Sequence, residues 1–273
     1  MTPTLPIGVW GTDVYRAAAW LLNSDGSPAA PDTSVYSGLD FHGVQDFIPS
    51  TPSPRSVIGL AQGMVMDTIY LPSNTARTAT MHTLYDLMSE NAVLAGVKRV
   101  SEGGLDYVPT DTDKEGQEPL VALLVSQLIS HDDEGLSLWH SYFYPRARVI
   151  PSQMVAMNQN ASQYLYNISL SRSKKLFWGP ALSVATQGTK QAGGFDIVTT
   201  DRLDFAVFKA DGVVDDFLFD TDKQCVNHAD VKVWDYAAGT QLTTGVTVDA
   251  AGIHFSAGHI PTSGKIIVAP YQF

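Results

Sequence analysis

The chain has 273 residues, 44% apolar and 16% charged, with a formal net charge of −11. That length supports one large domain or two modest ones, and the acidic balance excludes generic nucleic-acid binding by phosphate neutralisation. A single cysteine, Cys225, excludes an internal disulfide, no apolar run is long enough to span a bilayer, and Met-Thr-Pro-Thr-Leu-Pro at the start carries no secretory-signal pattern. The expectation is a soluble protein that stays in the compartment where it is made.

In chain order, Ile7–Trp10 and Val14–Leu22 are short apolar patches, and Asn23-Ser24-Asp25-Gly26-Ser27-Pro28 predicts that the second is a strand returning through a hairpin. Tyr36–Phe47, with Gly38 and Gly43, predicts a bulged strand. Val57–Tyr70 predicts two strands broken at Gly63. Within Thr78–Ala95, Met81, Leu84, Tyr85, Met88, Ala92 and Ala95 recur at steps of three and four, which predicts one amphipathic helix lying on a sheet.

Ser101–Gly116 is polar, and six acids against one base lie between Glu102 and Glu118. This predicts a long acidic hairpin loop between a strand near Val97–Val100 and the apolar run Leu120–Val125. Gly135–Pro151 has the longest period-two order in the chain. Trp139, Ser141, Phe143, Ala147 and Val149 alternate with His140, Tyr142, Tyr144, Arg146 and Arg148, and Pro145 predicts a bulge or an edge. Gln163–Leu170 alternates too and is expected to pair antiparallel with 138–149. Gln187–Gly194 reads as a linker.

Beyond Asp201, apolar runs at Leu203–Phe208, Val213–Phe219, Val231–Trp234, Gly245–Val248, Gly252–Phe255 and Lys265–Ala269 predict a small β-sandwich of immunoglobulin-like architecture. The chain therefore divides at 1–199 and 200–273.

The chemistry-bearing motifs are absent. No nucleophile elbow, phosphate loop, dinucleotide fingerprint or zinc spacing occurs, and the seven histidines are scattered. His131-Asp132-Asp133-Glu134 is the densest acidic group beside a histidine, and before Gly135 it reads as a solvated turn. Cys225 reads as a small semi-buried residue. No enzyme, metal or cofactor is expected.

Leu71-Pro72-Ser73-Asn74-Thr75-Ala76-Arg77 ahead of the helix, Gly116-Gln117-Glu118-Pro119 after the acidic loop, the strand Trp139–Pro151 and Gly179-Pro180-Ala181-Leu182 occur in an order that resembles the major tail tube proteins of tailed bacteriophages, over roughly residues 5–185. The resemblance implies a β-sandwich or half-barrel with one flanking α-helix, and 200–273 looks like the immunoglobulin-like decoration domains of some such proteins. It implies a virion tail protein, made in the bacterial host cytoplasm, whose usually six-membered rings stack into the tube through which DNA is ejected. Its partners would be itself and other tail proteins such as the tape measure and terminator, with DNA as non-sticking cargo and no membrane insertion. Within that frame Trp139, Tyr142, Tyr144, Arg146 and Arg148 are candidates for the subunit interface. Glu102, Asp106, Asp111, Asp113 and Glu115 are candidates for the lumen, where acidic walls repel phosphates, or for the contact between rings. The alternative is a two-domain β module that binds carbohydrate or host surface through its aromatic residues.

Overall fold

A computed structural model describes residues 15–41, 43–50, 55–61, 64–71, 77–83, 94, 100–102, 105–107, 118–131, 137–154, 164–171, 177–182 and 194–273. The chain is mainly β, and its named strands pair antiparallel.

Strand β1 (Tyr15–Leu21) runs into the predicted return. Gly26 takes a φ of 87°, the Asp25 carboxylate accepts from Ser27 N at 2.9 Å, and Leu22 bridges back to Pro28. The stretch 36–47 forms two strands where one bulged strand is expected. β2 (Leu39–Phe41) and β3 (Val44–Ser50) flank Gly43, whose φ of 64° takes the chain out of the extended region. β4 (Arg55–Ala61) and β5 (Met64–Leu71) form the two strands expected over 57–70, as a hairpin paired strand to strand.

The predicted helix over Thr78–Ala95 is corrected at its start, over Thr78–Thr83; the rest of its span, Leu94 apart, lies outside the described residues. Arg77–Thr83 is a strand, β6, hydrogen-bonded to strands on both sides. Ala79, Met81 and Thr83 are buried while Thr78, Thr80 and His82 are not, which is period two. Three β-branched threonines and a place between two strands outweigh the helical spacing that Met81 shares with later residues. Leu94 is helical and buried, and residues 84–93 lie outside the described residues.

β7 (Val100–Glu102) and β8 (Leu105–Tyr107) form a short hairpin where the acidic loop is expected. Then come β9 (Val121–His131), β10 (Ser137–Met154), β11 (Tyr164–Leu170) and β12 (Phe195–Thr199). β11 pairs with the second half of β10, from Ala147 on, and β12 takes the same side of its first half. The large sheet runs β2-β1-β9-β10-β11-β6-β3. Its two end strands are joined by His42 and Gly43 alone, so the sheet must roll until they meet. Phe41 on β2 lies 5.3 Å, ring to ring, from Tyr166 on β11, and Phe47 on β3 lies 5.9 Å from Tyr144 on β10. Ala17, Ala19, Met81, Leu123, Val149 and Ile168 fill the inside of the roll.

The C-terminal unit contains β13 (Leu203–Lys209), β14 (Asp216–Leu218), β15 (Val233–Asp235), β16 (Thr240–Leu242), β17 (Val246–Val248), β18 (Gly252–Phe255) and β19 (Ile266–Gln272). They make two facing sheets, β13-β19-β15-β16 and β14-β18-β17. The four-stranded sheet is apolar on both faces. Phe208, Ile267 and Tyr271 pack towards Phe217 and Phe255. Leu203, Phe205, Val207 and Val268 pack against Trp20, Leu124, Phe143 and Trp178 on the outside of the rolled sheet. That is why Leu-Asp-Phe-Ala-Val-Phe reads as a nearly unbroken apolar run: a strand covered on both faces has no polar side to show. Among the described residues the rolled sheet and the two C-terminal sheets are separated by two apolar cores, one of which crosses residue 200, and a third core fills the roll.

Candidate functional site

β10 carries the interface candidates, and its bulge decides where they point. Tyr144 pairs with Leu123 and Ala147 with Val121, so β10 spends one residue more than β9 over the same span. The extra residue places Ala147 and Val149 on the same face as Tyr144, inside the roll, rather than on the face of Phe143 as strict alternation predicts. Pro145 is therefore at a bulge in a central strand and not at an edge.

Tyr144 is buried, and burial pushes its phenol up to about 12. Tyr142 is partly buried against the same core, 4.5 Å from the His140 ring. Trp139 is buried on the opposite face with Arg202 5.0 Å over its ring. Arg148 lies 3.8 Å from Glu118 of its own chain, and Arg146 Nε is buried without a hydrogen bond among the described residues. The structure thus brings the five residues onto one strand but divides them between two faces.

Of the acidic candidates, Glu102 and Asp106 lie on β7 and β8, with Glu102 opposite Leu105 and Ser101 opposite Asp106. Asp111, Asp113 and Glu115 lie outside the described residues. So do Asp132, Asp133 and Glu134 of the carboxylate group; His131 ends β9.

At the far end of the β9–β10 pair, three apolar side chains are exposed: Ile129 at 50%, Leu138 at 40% and Val198 at 61%. Val198 sits opposite His140 in the β10–β12 register, and Leu138 is two residues before it. Leu138 is in phase with half-buried His140 and Tyr142, and Val198 lies opposite His140, so they share one face of β10 with the polar Gln127 and Asp196, while Ile129 sits at a second register shift of the β9–β10 pair.

Sequence reading missed a buried ionic junction. Arg16 on β1 donates to Asp40 Oδ1, Asp204 Oδ2 and the Leu203 carbonyl, each at 2.9 Å. Lys223 bonds Asp40 and lies 3.5 Å from Asp204, and Phe273 closes over the guanidinium at 4.9 Å. Asp204 is fully buried. Burial pushes its carboxyl above the ordinary value, while Arg16 and Lys223 pull it down. The junction ties β1 and β2 to the C-terminal sheet, and four hydrogen-bonded charges can be buried only as a set. One signal was available: Arg16 is the single charge of β1, and Asp204 is the only charge within the apolar run Leu203–Phe208.

A second ionic group lies on the outer C-terminal sheet. His254 Nδ1 is 2.7 Å from Asp216 and Nε2 is 3.2 Å from Asp249, which raises the imidazole above its usual value. The Asp249 carboxylate also accepts from Ala251 N and Gly252 N, and it titrates lower than usual, chiefly through His254. Cys225 is buried, and burial pushes its thiol up. Among the described residues no three His, Cys, Asp or Glu side chains are grouped to hold a metal ion, and no helix is long and apolar enough to cross a membrane.

No protein-family model matches the chain, and no curated protein matches it.

Proposed function

We propose that the chain is a structural, self-assembling subunit of a phage tail tube, forming stacked six-membered rings that conduct DNA at ejection. The observation that carries this reading is the exposed apolar end of the β9–β10–β12 sheet. Leu138 on β10 is exposed there with Ile129 on β9 and Val198 on β12, and a neighbouring copy would cover them. The rolled sheet gives that neighbour a rigid surface to meet, and the net charge of −11 suits a conduit that must not hold DNA. The reading implies a site in the virion tail after synthesis in the bacterial host cytoplasm, with tape measure and terminator as further partners. Arg146, whose Nε has no bond among the described residues, remains a candidate partner for an acid on the next subunit. The carbohydrate-binding alternative draws less support, because Trp139 and Tyr144 are buried and offer no open stacking platform.

Sedimentation velocity over a concentration series tests the assignment of the surface. The chain should form large assemblies, and Leu138→Asp with Val198→Asp should leave a folded chain that sediments at least several-fold more slowly. Unchanged assembly by that double variant would remove the surface from the account.

A further inference from the structure

We infer that the open side of the C-terminal sandwich accepts an added strand: an extended peptide from a partner, with small aliphatic side chains at alternate positions. The inference goes beyond the tube reading and stands without it. Its basis is a mismatch between two facing sheets. β13-β19-β15-β16 has four strands, and β14-β18-β17 has three among the described residues. At one side the strands are matched, with Phe217 of β14 stacked 3.6 Å from Phe208 of β13. At the other side β17 is the last strand of its sheet, and a cleft of about 420 Å³ opens beside it. Val233 and Leu242 line it from one sheet, Val246 and Val248 from the other, and Gln241 and Thr243 stand at its rim.

The backbone identifies the occupant. Ser256 N donates to the Gly245 carbonyl at 2.8 Å and Asp249 N to the Gly252 carbonyl at 3.0 Å. Antiparallel ladders alternate, so Gly245, Thr247 and Asp249 turn their polar groups towards β18 while Val246 and Val248 turn theirs to the open side. The same two valines send their side chains into the cleft. A strand laid beside β17 would take these main-chain bonds and place every second side chain over Val233 and Leu242. His228 is the one ionisable side chain on the cleft, and with no Asp, Glu, Lys or Arg to pair a charge the inward positions are uncharged; no Trp, Tyr or Phe is present to stack a sugar. β17 itself is Val-Thr-Val, an edge whose only protection is its shortness, since it carries no lysine, proline or inward charge.

Hydrogen exchange read by mass spectrometry on the full chain tests the site, because it works on free and assembled protein alike. The probe is the capped peptide acetyl-Thr-Val-Thr-Val-Thr-Val-Thr-amide, and its control carries proline at the central position. Slowing of exchange by about tenfold in the segment covering 245–249, with the probe and not with the control, is the expected result. Leu242→Trp, which fills the cleft, and Val248→Pro, which removes an outward N–H without breaking the β18 ladder, should each weaken that protection about tenfold. No protection at millimolar probe, equal protection by the proline control, or protection confined to other segments would overturn the inference. The control peptide keeps the test decisive even if a variant fails to fold.

Discussion

Asp204 and His254 show the same kind of contact at opposite depths, and the depth decides what each is worth. Asp204 has no exposed surface, and its carboxylate is shared by Arg16 and Lys223. Removing its charge leaves two buried cations with Asp40 alone, so Asp204→Asn should cost about 3–5 kcal/mol in urea unfolding at neutral pH. A loss below about 1 kcal/mol would show that water reaches the junction. His254 lies at the surface between two exposed acids, where solvent screens the attraction and its effect appears as pH dependence. Its folded pKa lies above the ordinary 6.5, so its stabilisation is complete below pH 6.5 and disappears as pH rises through the folded value. Asp249, lowered in the fold, contributes above its ordinary 3.8 and loses that contribution as pH falls through its folded value. His254→Gln should flatten the decline in stability on the alkaline side, measured by denaturant unfolding across pH 6 to about 9. Neither group was read from the sequence. Arg16 and Asp204 lie 188 positions apart, and their partnership exists only once β1 and β13 are packed.

At the scale of elements, period-two order was legible most cleanly along β11, where Tyr166, Ile168 and Leu170 are buried and Leu165, Asn167 and Ser169 are not. β10 and β11 lie where alternation places them, and the β4–β5 hairpin follows its glycine break. Two failures have physical causes. β6 also satisfied a helical spacing, because Met81 belongs to both patterns, and only its neighbours β3 and β11 settle the matter. The faces of β10 beyond Pro145 were misassigned because a bulge shifts phase without changing the sequence pattern. β12 and β16 were missed as well: one follows a glycine-rich stretch and the other begins at a turn residue. Gly38 marks the entry to β2 and thus the closing of the roll. Its φ is +87°, and an added Cβ would lie 2.9 Å from Trp20 Cε2 and 3.1 Å from the Ala19 carbonyl. Gly38→Ala should therefore destabilise the chain by about 1–3 kcal/mol, read as a lowered midpoint of thermal or urea unfolding. An unchanged midpoint would mean that β2 can move away from β1 at no cost.

For the whole molecule, composition and strand spacing made the mainly β class legible, and the way the layers stack was not. A boundary near residue 200 follows from strand spacing, yet Phe205, Val207 and Val268 complete a core whose other half is Trp20, Phe143 and Trp178. The C-terminal unit packs against the outside of the rolled sheet, and Ile129, Leu138 and Val198 at the far end of β9, β10 and β12 stay exposed. Self-assembly is the central claim, and negative-stain electron microscopy of the purified full chain, imaged over a range of concentrations, tests it most directly. The account predicts rings that stack into hollow tubes as concentration rises. A field of single-chain particles at every concentration would contradict it.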